Sequence, residues 1–189
     1  MSDAAHEAAP PPSRRERAGG SAGTIIAALI GLLALCVSAY TAWLQRQQVR
    51  AQVWPYIETG WSQSGRYVLL ANKGVGPARI ETLQVFVDGK PYPNWDRVFE
   101  ALGVQFEKKP PYSTSHGIVI SAGNHIQQLS IMSEADFARF DPLYKRLDIA
   151  ACYCSSLGEC WQLDEREEDP DKLRREVDRC VRSPEDFTQ

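Results

Sequence analysis

The sequence predicts a mainly β protein: an N-terminal transmembrane helix, then an irregular β-sandwich with short inserted helices and a C-terminal helix. Three observations carry this prediction. An uncharged apolar run covers residues 24–44, short β-prone segments alternate with turn residues from residue 53 onward, and the last apolar residues recur at helical spacing. The 189-residue chain therefore divides into a tail (1–22), an anchor (23–52) and one domain (53–189).

The anchor is the run TIIAALIGLLALCVSAYTAWL, whose twenty-one residues are enough for a helix to cross roughly 30 Å of hydrocarbon. Tyr40 and Trp43 lie near its end, where aromatic rings favour the lipid headgroup layer. The next residues, QRQQVRAQ, contain no helix breaker, and Pro55 ends the pattern. We therefore expect a single span in the lipid bilayer with a short helical extension.

The flanking charges indicate an orientation. Three arginines precede the span and two follow it (Arg14, Arg15 and Arg17; Arg46 and Arg50), and basic flanks stay preferentially in the cytoplasm. The tail contains AAPPPS and AGGSAG, which cannot build a core, so we expect a disordered cytoplasmic tail. A cleaved signal peptide ending at residues 37–39 is the alternative for the same run. Small residues spaced by four (Gly23, Ala27 and Gly31) would also allow the span to form a homo-oligomer.

Cysteine usage indicates the compartment. Cys36 lies in the apolar run, and the other four lie in the last quarter of the chain (Cys152, Cys154, Cys160 and Cys180). An even number outside the membrane is typical of an oxidising space, which here would be the periplasm beside a bacterial inner membrane or another extracytoplasmic space. From residue 51 onward, 16 Lys and Arg face 21 Asp and Glu, so no basic footprint for nucleic acid exists.

The four cysteines fit two disulfides better than a metal site. Structural zinc sites usually pair their cysteines as C-x₂₋₄-C, and the spacing C-x-C-x₅-C does not match. A five-residue loop can place Cys154 opposite Cys160 in a hairpin, which leaves Cys152 for Cys180. Four-thiolate metal binding is the alternative, and a redox-active pair is disfavoured because no C-x-x-C occurs.

The domain is predicted as six or seven strands with helices between them. We expect strands in VWPYIETGW, RYVLLAN, ARIETLQVFVDG, two around the turn in GIVISAGNHIQQLSIMS, and a hairpin from RLDIAACYC and CWQLD. Short helices should follow Asn94 and Ser133, which are good N-caps, with a long loop over 103–115. A final helix should cover DKLRREVDRCVRS, because Leu173, Val177 and Cys180 would share one face.

The stretch RYVLLANKGVGPARIETLQVFVDG, residues 66–89, resembles the strand–Asn-x-Gly-x-Gly–strand pair of bacterial immunoglobulin-like modules of the cell-adhesion-related type. It is also similar to the ectodomains of single-span bacterial membrane proteins. The resemblance implies an immunoglobulin-like sandwich and says nothing of an activity. The cysteine hairpin and the loop after Trp95 depart from the simple module.

The sequence contains few motifs that indicate catalysis or ligand binding. The sequence contains no G-x-S-x-G, H-E-x-x-H, P-loop or dinucleotide fingerprint, so we expect no catalytic residues, no cofactor and no metal ligands. His116 and His125 flank IVISAGN, which we expect to form a hairpin, and are interpreted as surface histidines rather than a metal pair. Tyr92, Trp95 and Tyr112 lie in Pro-rich loops, and loops carry function more often than strands do. They form the candidate partner surface.

These observations predict a membrane-anchored periplasmic binding or accessory module that recruits or senses a protein partner. Two alternatives remain at this stage. One is a membrane-bound enzyme whose site is assembled from scattered residues, and the other is a membrane-acting effector whose span oligomerises.

Overall fold

The computed structural model describes residues 14–114 and 116–188, with side chains from residue 22 onward. It consists of two units. The first is an apolar N-terminal helix, and the second is a β-rich body that contains two sheets.

Helix α1 covers Arg14–Gln52 and includes the whole apolar run. The predicted extension beyond the run is confirmed, since the helix continues to Gln52 before Pro55. Its start differs from the prediction. Residues 14–22, which we expected to be disordered, are helical. The rest of the predicted tail, residues 1–13, lies outside the described residues.

The body contains two antiparallel sheets. Sheet A has three strands in the order β1–β2–β6, and sheet B has the order β4–β3–β7–β8–β9 with β5 paired beside β3. In chain order the strands are β1 Ile57–Ser62, β2 Tyr67–Asn72, β3 Ala78–Val87, β4 Lys90–Tyr92, β5 Val119–Ile120, β6 His125–Ser130, β7 Leu147–Cys154, β8 Cys160–Asp164 and β9 Arg174–Val177.

Three helical segments connect these strands: α2 Trp95–Leu102, α3 Glu134–Phe140 and a 3-10 segment, Asp141–Arg146. Both predicted caps are confirmed. The side chain of Asn94 accepts a hydrogen bond from the Arg97 N–H, and that of Ser133 accepts from the Asp136 N–H. Gly103 ends α2 in the left-handed conformation that glycine adopts without steric cost.

The core lies between the two sheets in two neighbouring clusters, as in a β-sandwich. The larger cluster joins sheet A residues to sheet B residues and to α2 (Val68, Leu129, Val85, Ile149, Trp95). The smaller cluster does the same without a helix (Ile57, Leu70, Ile80, Tyr153, Leu163). Apolar side chains at alternate positions of the strands therefore fill the interior between the two sheets.

A bulge in β3 explains why its alternation is interrupted. The pairing of β3 with β7 shifts register between Ile80 and Thr82, so Glu81 is the extra residue. Because Glu81 adds one residue to the strand, the next apolar side chain that faces the core after Ile80 is Leu83, three positions later instead of two. The hairpin that follows matches its prediction, since Asp88 and Gly89 both have positive φ, as a two-residue type I′ turn requires.

Two expectations about strands are wrong. The strands around the Ala-Gly-Asn turn do not pair with each other, because β5 pairs with β3 in sheet B and β6 pairs with β2 in sheet A. The chain therefore changes sheet at this turn. The strand number is also higher than predicted, since the short β4 and the late β9 are added at the two ends of sheet B.

The predicted C-terminal helix is not formed. Residues 174–177 instead form β9, which pairs with β8 in the register Cys160–Val177 to Leu163–Arg174. A spacing of four places Leu173 and Val177 on one side of a helix, but it places them equally on one side of a strand. Pairing with the free edge of β8 decides between the two, because tertiary context overrides a weak local propensity.

Candidate functional site

The long loop after α2 is held at both ends. At its start, the Gly103 N–H donates to the carbonyl oxygens of Glu100 and Phe99, and at its end the chain runs beside β6. There, the Ser130 N–H donates to the Pro111 carbonyl oxygen at 3.0 Å and the Ser113 N–H donates to the Gln128 carbonyl oxygen at 3.2 Å. The loop thereby covers the outer edge of sheet A, which blunts an otherwise open edge.

Two adjoining cavities border this loop, and we call them together the loop groove. The first has a volume of about 810 Å³ and lies between α2 and the loop, and the second has about 490 Å³ and lies between the loop and the start of α3. Lys109 and Pro110 line both. Volumes of this size are those of sites that hold small molecules or peptide side chains.

A buried carboxylate fixes the loop to α3. Asp136 is 3% exposed, and its Oδ1 accepts from Arg139 Nη2 at 2.7 Å and from the Glu107 N–H at 3.2 Å. Arg139 Nη1 also donates to the Gln105 carbonyl oxygen at 3.1 Å. A buried carboxylate that accepts a guanidinium and a backbone N–H is satisfied, so this side of the groove is preformed.

The mouth of the groove combines a cation with adaptable apolar surface. Lys109 Nζ lies 2.8 Å from Asp96 Oδ2 and 5.5 Å from the centroid of the Tyr112 ring. The hydrogen bond to Asp96 raises the pKa of Lys109, so the amine carries its charge at neutral pH. Met132 lines the second cavity and is 79% exposed. A flexible thioether beside prolines suits contact with an apolar segment.

The three predicted partner-surface residues have different positions. Tyr112 is 36% exposed and lies beside Lys109 at the groove. Tyr92 is half-buried against the core. Trp95 is a correction: it is fully buried, stacks on Phe99 with ring centroids 6.0 Å apart and meets Phe187 edge-on, so no partner can reach it. As the first residue of an amphipathic helix, its ring faces the core rather than the loop.

Sequence reasoning missed Lys109 and Met132, which contribute most to the mouth of the groove. The pattern Lys-Lys-Pro-Pro at residues 108–111 was a usable signal, since prolines hold a loop extended and leave neighbouring side chains outward. Met132 had no such signal. Its exposure follows only from the position of β6 and α3 on either side of it.

The structure joins Cys152 to Cys180 and Cys154 to Cys160 in disulfides, the pairing that the sequence favours. Cys154 and Cys160 stand directly opposite in the β7–β8 hairpin, and Cys180 follows β9. Within the described chain, Cys36 is not bridged. Three of the sulfur atoms, those of Cys154, Cys160 and Cys180, lie within 4.8 Å of one another, but sulfurs in disulfides are not thiolate ligands.

A second group of titratable side chains lies where the two sheets meet. Glu165 follows β8, accepts a hydrogen bond from the Thr59 hydroxyl of sheet A, and accepts a 2.8 Å bond from the Ile149 N–H of sheet B. Burial raises the pKa of Glu165, and it raises the pKa of Tyr144 as well. Both hydrogen bonds connect the sheets, so this arrangement is a structural link rather than an open site.

The two histidines of the body have separate partners. The ring of His125 stacks on Tyr67 with centroids 5.7 Å apart, whereas His116 Nε2 lies 2.8 Å from Arg182 Nη2.

In comparisons with known protein families, curated proteins and solved structures, nothing matches this chain.

Proposed function

We propose that this chain is a membrane-anchored binding module of the bacterial inner membrane. In this proposal its N-terminus is cytoplasmic, its body is an immunoglobulin-like sandwich in the periplasm, and the loop groove recruits or senses a protein partner. Anchoring a binding domain at a membrane raises its effective concentration towards membrane partners, which is the mechanism we assign to it.

The observation that carries the proposal is the exposure of α1. Every described side chain from residue 22 to residue 52 is exposed, and its isoleucines and leucines are 57–68% exposed up to Leu35. Soluble proteins rarely expose apolar surface on this scale, so a nonpolar environment must cover it. Among the described residues, this is the one helix long and apolar enough to cross a membrane.

Two further observations support the compartment and the binding role. Both disulfides of the body require an oxidising environment to persist. The loop groove offers a preformed wall at Asp136 and an adaptable, cationic mouth at Lys109 and Met132. Binding of a partner in the loop groove requires no catalytic residue.

Anchoring and orientation are tested together in bacterial cells. Alkaline phosphatase fused after Gln189 should be active, and the full chain should resist carbonate extraction with Met1–Ala39 retained. Phosphatase that is inactive there, together with an active cytoplasmic reporter, would contradict the orientation. A mature N-terminus at Tyr40 would show that the run is a signal sequence.

The binding role is tested with a photoreactive amino acid placed at Met132 and, as a control, at Glu168 in an exposed loop. We expect a discrete cross-linked adduct from position 132 that is lost when Lys109→Glu is added, and no such adduct from position 168. The same adducts from both positions, or none from position 132, would reject the groove as the partner site.

A further inference from the structure

The four bridged cysteines form one compact group on the outer face of sheet B. Ala151 and Tyr153 of β7 point into the core, so the alternating Cys152 and Cys154 point outward. The two disulfides come close: Cys154 Sγ lies 3.8 Å from Cys180 Sγ, although these two atoms belong to different bridges. A sulfur of one disulfide is therefore positioned to reach a sulfur of the other.

An opening leads to this group. A cavity of about 280 Å³ on the same face is lined by Cys152 together with Gln162, Arg179 and Asp186. Cys180 is partly exposed, whereas Cys152, Cys154 and Cys160 are 7%, 3% and 6% exposed. An incoming thiol can approach the Cys152–Cys180 bridge through this cavity, which Cys154 and Cys160 do not line.

From this juxtaposition we propose that the two bridges form a thiol–disulfide exchange site, which accepts two electrons from a dithiol and rearranges to a Cys154–Cys180 bridge. The function is distinct from partner binding at the loop groove. It uses only sulfur chemistry and the cysteines that the fold brings together.

Each step of the exchange is balanced. A thiolate of the dithiol attacks Cys152 Sγ, forms a mixed disulfide there and releases Cys180 as a thiolate. The Cys180 thiolate attacks Cys154 Sγ, which forms the Cys154–Cys180 bridge and releases the Cys160 thiolate. The second thiol of the dithiol then attacks its own sulfur in the mixed disulfide and releases Cys152. The dithiol leaves as a cyclic disulfide, and Cys152 and Cys160, after taking up two protons, remain as thiols.

Three of the four cysteines lie on paired strands, and the fourth follows β9. Main-chain pairing holds the β7–β8 ladder up to its last pair, Cys154 with Cys160, and the β8–β9 ladder pairs Cys160 with Val177. The sulfurs of Cys154, Cys160 and Cys180 already lie within 4.8 Å of one another, so the exchange joins atoms that are already neighbours.

The first test uses Cys160→Ser in the full-length chain, oxidised and purified in detergent. This variant leaves Cys154 as a free thiol beside the Cys152–Cys180 bridge. After acid quenching and alkylation, chymotrypsin cleaves between Cys152 and Cys154 at Tyr153, so the bridges can be assigned. We expect at least about one molecule in ten to carry Cys154–Cys180, the level at which the two bridges differ by no more than about tenfold. A protein with Cys154 fully alkylated and Cys152–Cys180 intact would overturn the proposal.

The second test needs no variant in the exchanging group. Wild-type protein is treated with one equivalent of dithiothreitol, and quenched samples are mapped over time. We expect a two-thiol species that carries Cys154–Cys180 with Cys152 and Cys160 alkylated. The control, Cys180→Ser, should show only loss of Cys154–Cys160 and no new bridge. A wild-type two-thiol species that keeps either original bridge, without Cys154–Cys180 at any time, would refute exchange.

Discussion

The buried side-chain nitrogen of Asn72 donates a hydrogen bond of 2.8 Å to the carbonyl oxygen of Gly76. It donates a second bond of 2.9 Å to the Ile120 carbonyl oxygen, while Oδ1 accepts from the N–H groups of Tyr56 and Gly74 at 3.1 and 3.0 Å. One amide thus satisfies four backbone groups from three segments. In the Asn-x-Gly-x-Gly sequence, the asparagine therefore holds these three segments together through its side chain.

Replacing this residue should be severe. Asn72→Ala removes the side-chain partner of two buried carbonyl oxygens, at about 1–3 kcal/mol each, and of two half-buried N–H groups, which cost less. We expect a loss of about 3–5 kcal/mol in the free energy of unfolding, which places the change in the exceptional class. The control, Asn124→Ala, alters an exposed asparagine in the turn before β6 and should cost no more than about 0.5 kcal/mol. Thermal unfolding of the full chain in detergent, followed by circular dichroism, measures both; equal effects would contradict this role.

Gly76, the last glycine of the Asn-x-Gly-x-Gly sequence, has no room for a side chain. A Cβ at Gly76 would overlap the backbone of Val53, and backbone cannot swing away as a side chain can. Gly76→Ala should therefore destabilise the body by about 1–3 kcal/mol, the range for overpacking. The matched variant Gly60→Ala meets its nearest atom, of the Leu69 side chain, at 4.0 Å and should be nearly neutral. An unfolding temperature of Gly76→Ala as high as that of Gly60→Ala would show that Val53 is not fixed there.

Burial of Glu165 predicts a pH dependence with a defined sign. Because burial raises its pKa in the folded state above the ordinary 4.5, the folded protein binds more protons than the unfolded chain in the interval between the two values. The contribution of Glu165 to stability is therefore complete below pH 4.5 and is lost as pH rises through the folded pKa. Relative to Glu165→Gln, the wild-type unfolding temperature should fall as pH increases from 4.5 towards neutrality.

A second variant checks the cause. The Thr59 hydroxyl donates to the Glu165 carboxylate and opposes the effect of burial on the pKa. Thr59→Val removes that donor, so the loss of stability should extend to higher pH. A difference between wild type and Glu165→Gln that stays constant from pH 4 to 8, or that grows in favour of wild type, would contradict this assignment.

Both bridges should contribute to stability, and the contribution increases slowly with the length of the loop that each closes. The Cys154–Cys160 bridge spans 6 positions and the Cys152–Cys180 bridge spans 28. The chain-entropy relation then gives about 2.5 and about 3.5 kcal/mol respectively. Cys154→Ser should loosen the β7–β8 hairpin, and Cys180→Ser should loosen β9 and the residues after it.

Unfolding with and without reductant measures these contributions, and non-reducing peptide mapping of exported protein establishes the pairing. Cys36→Ser is the control, since Cys36 is unbridged and exposed on α1. Four free thiols in the body, or one bound zinc ion per chain in their place, would remove both bridges and with them the argument for an oxidising compartment.

The sequence by itself determined those features that depend on neighbouring residues. The apolar run, the caps at Asn94 and Ser133, the turn at Asp88–Gly89 and the cysteine hairpin each need only a few consecutive residues to be specified. Local interactions of this kind, such as helix caps and tight turns, form in the same way in any fold.

Tertiary structure decided the remainder, because those features depend on which distant segment offers a partner. Leu173 and Val177 fit a helix or a strand equally well until the edge of β8 supplies hydrogen bonds. Trp95 stands in a Pro-rich segment, yet it is buried because α2 packs its apolar side on the core. The approach of Cys154 to Cys180, 26 positions apart, likewise follows only from placing β9 beside β8. Long-range pairing has no local signature, so the strand order and the site geometry emerge only when the chain is folded.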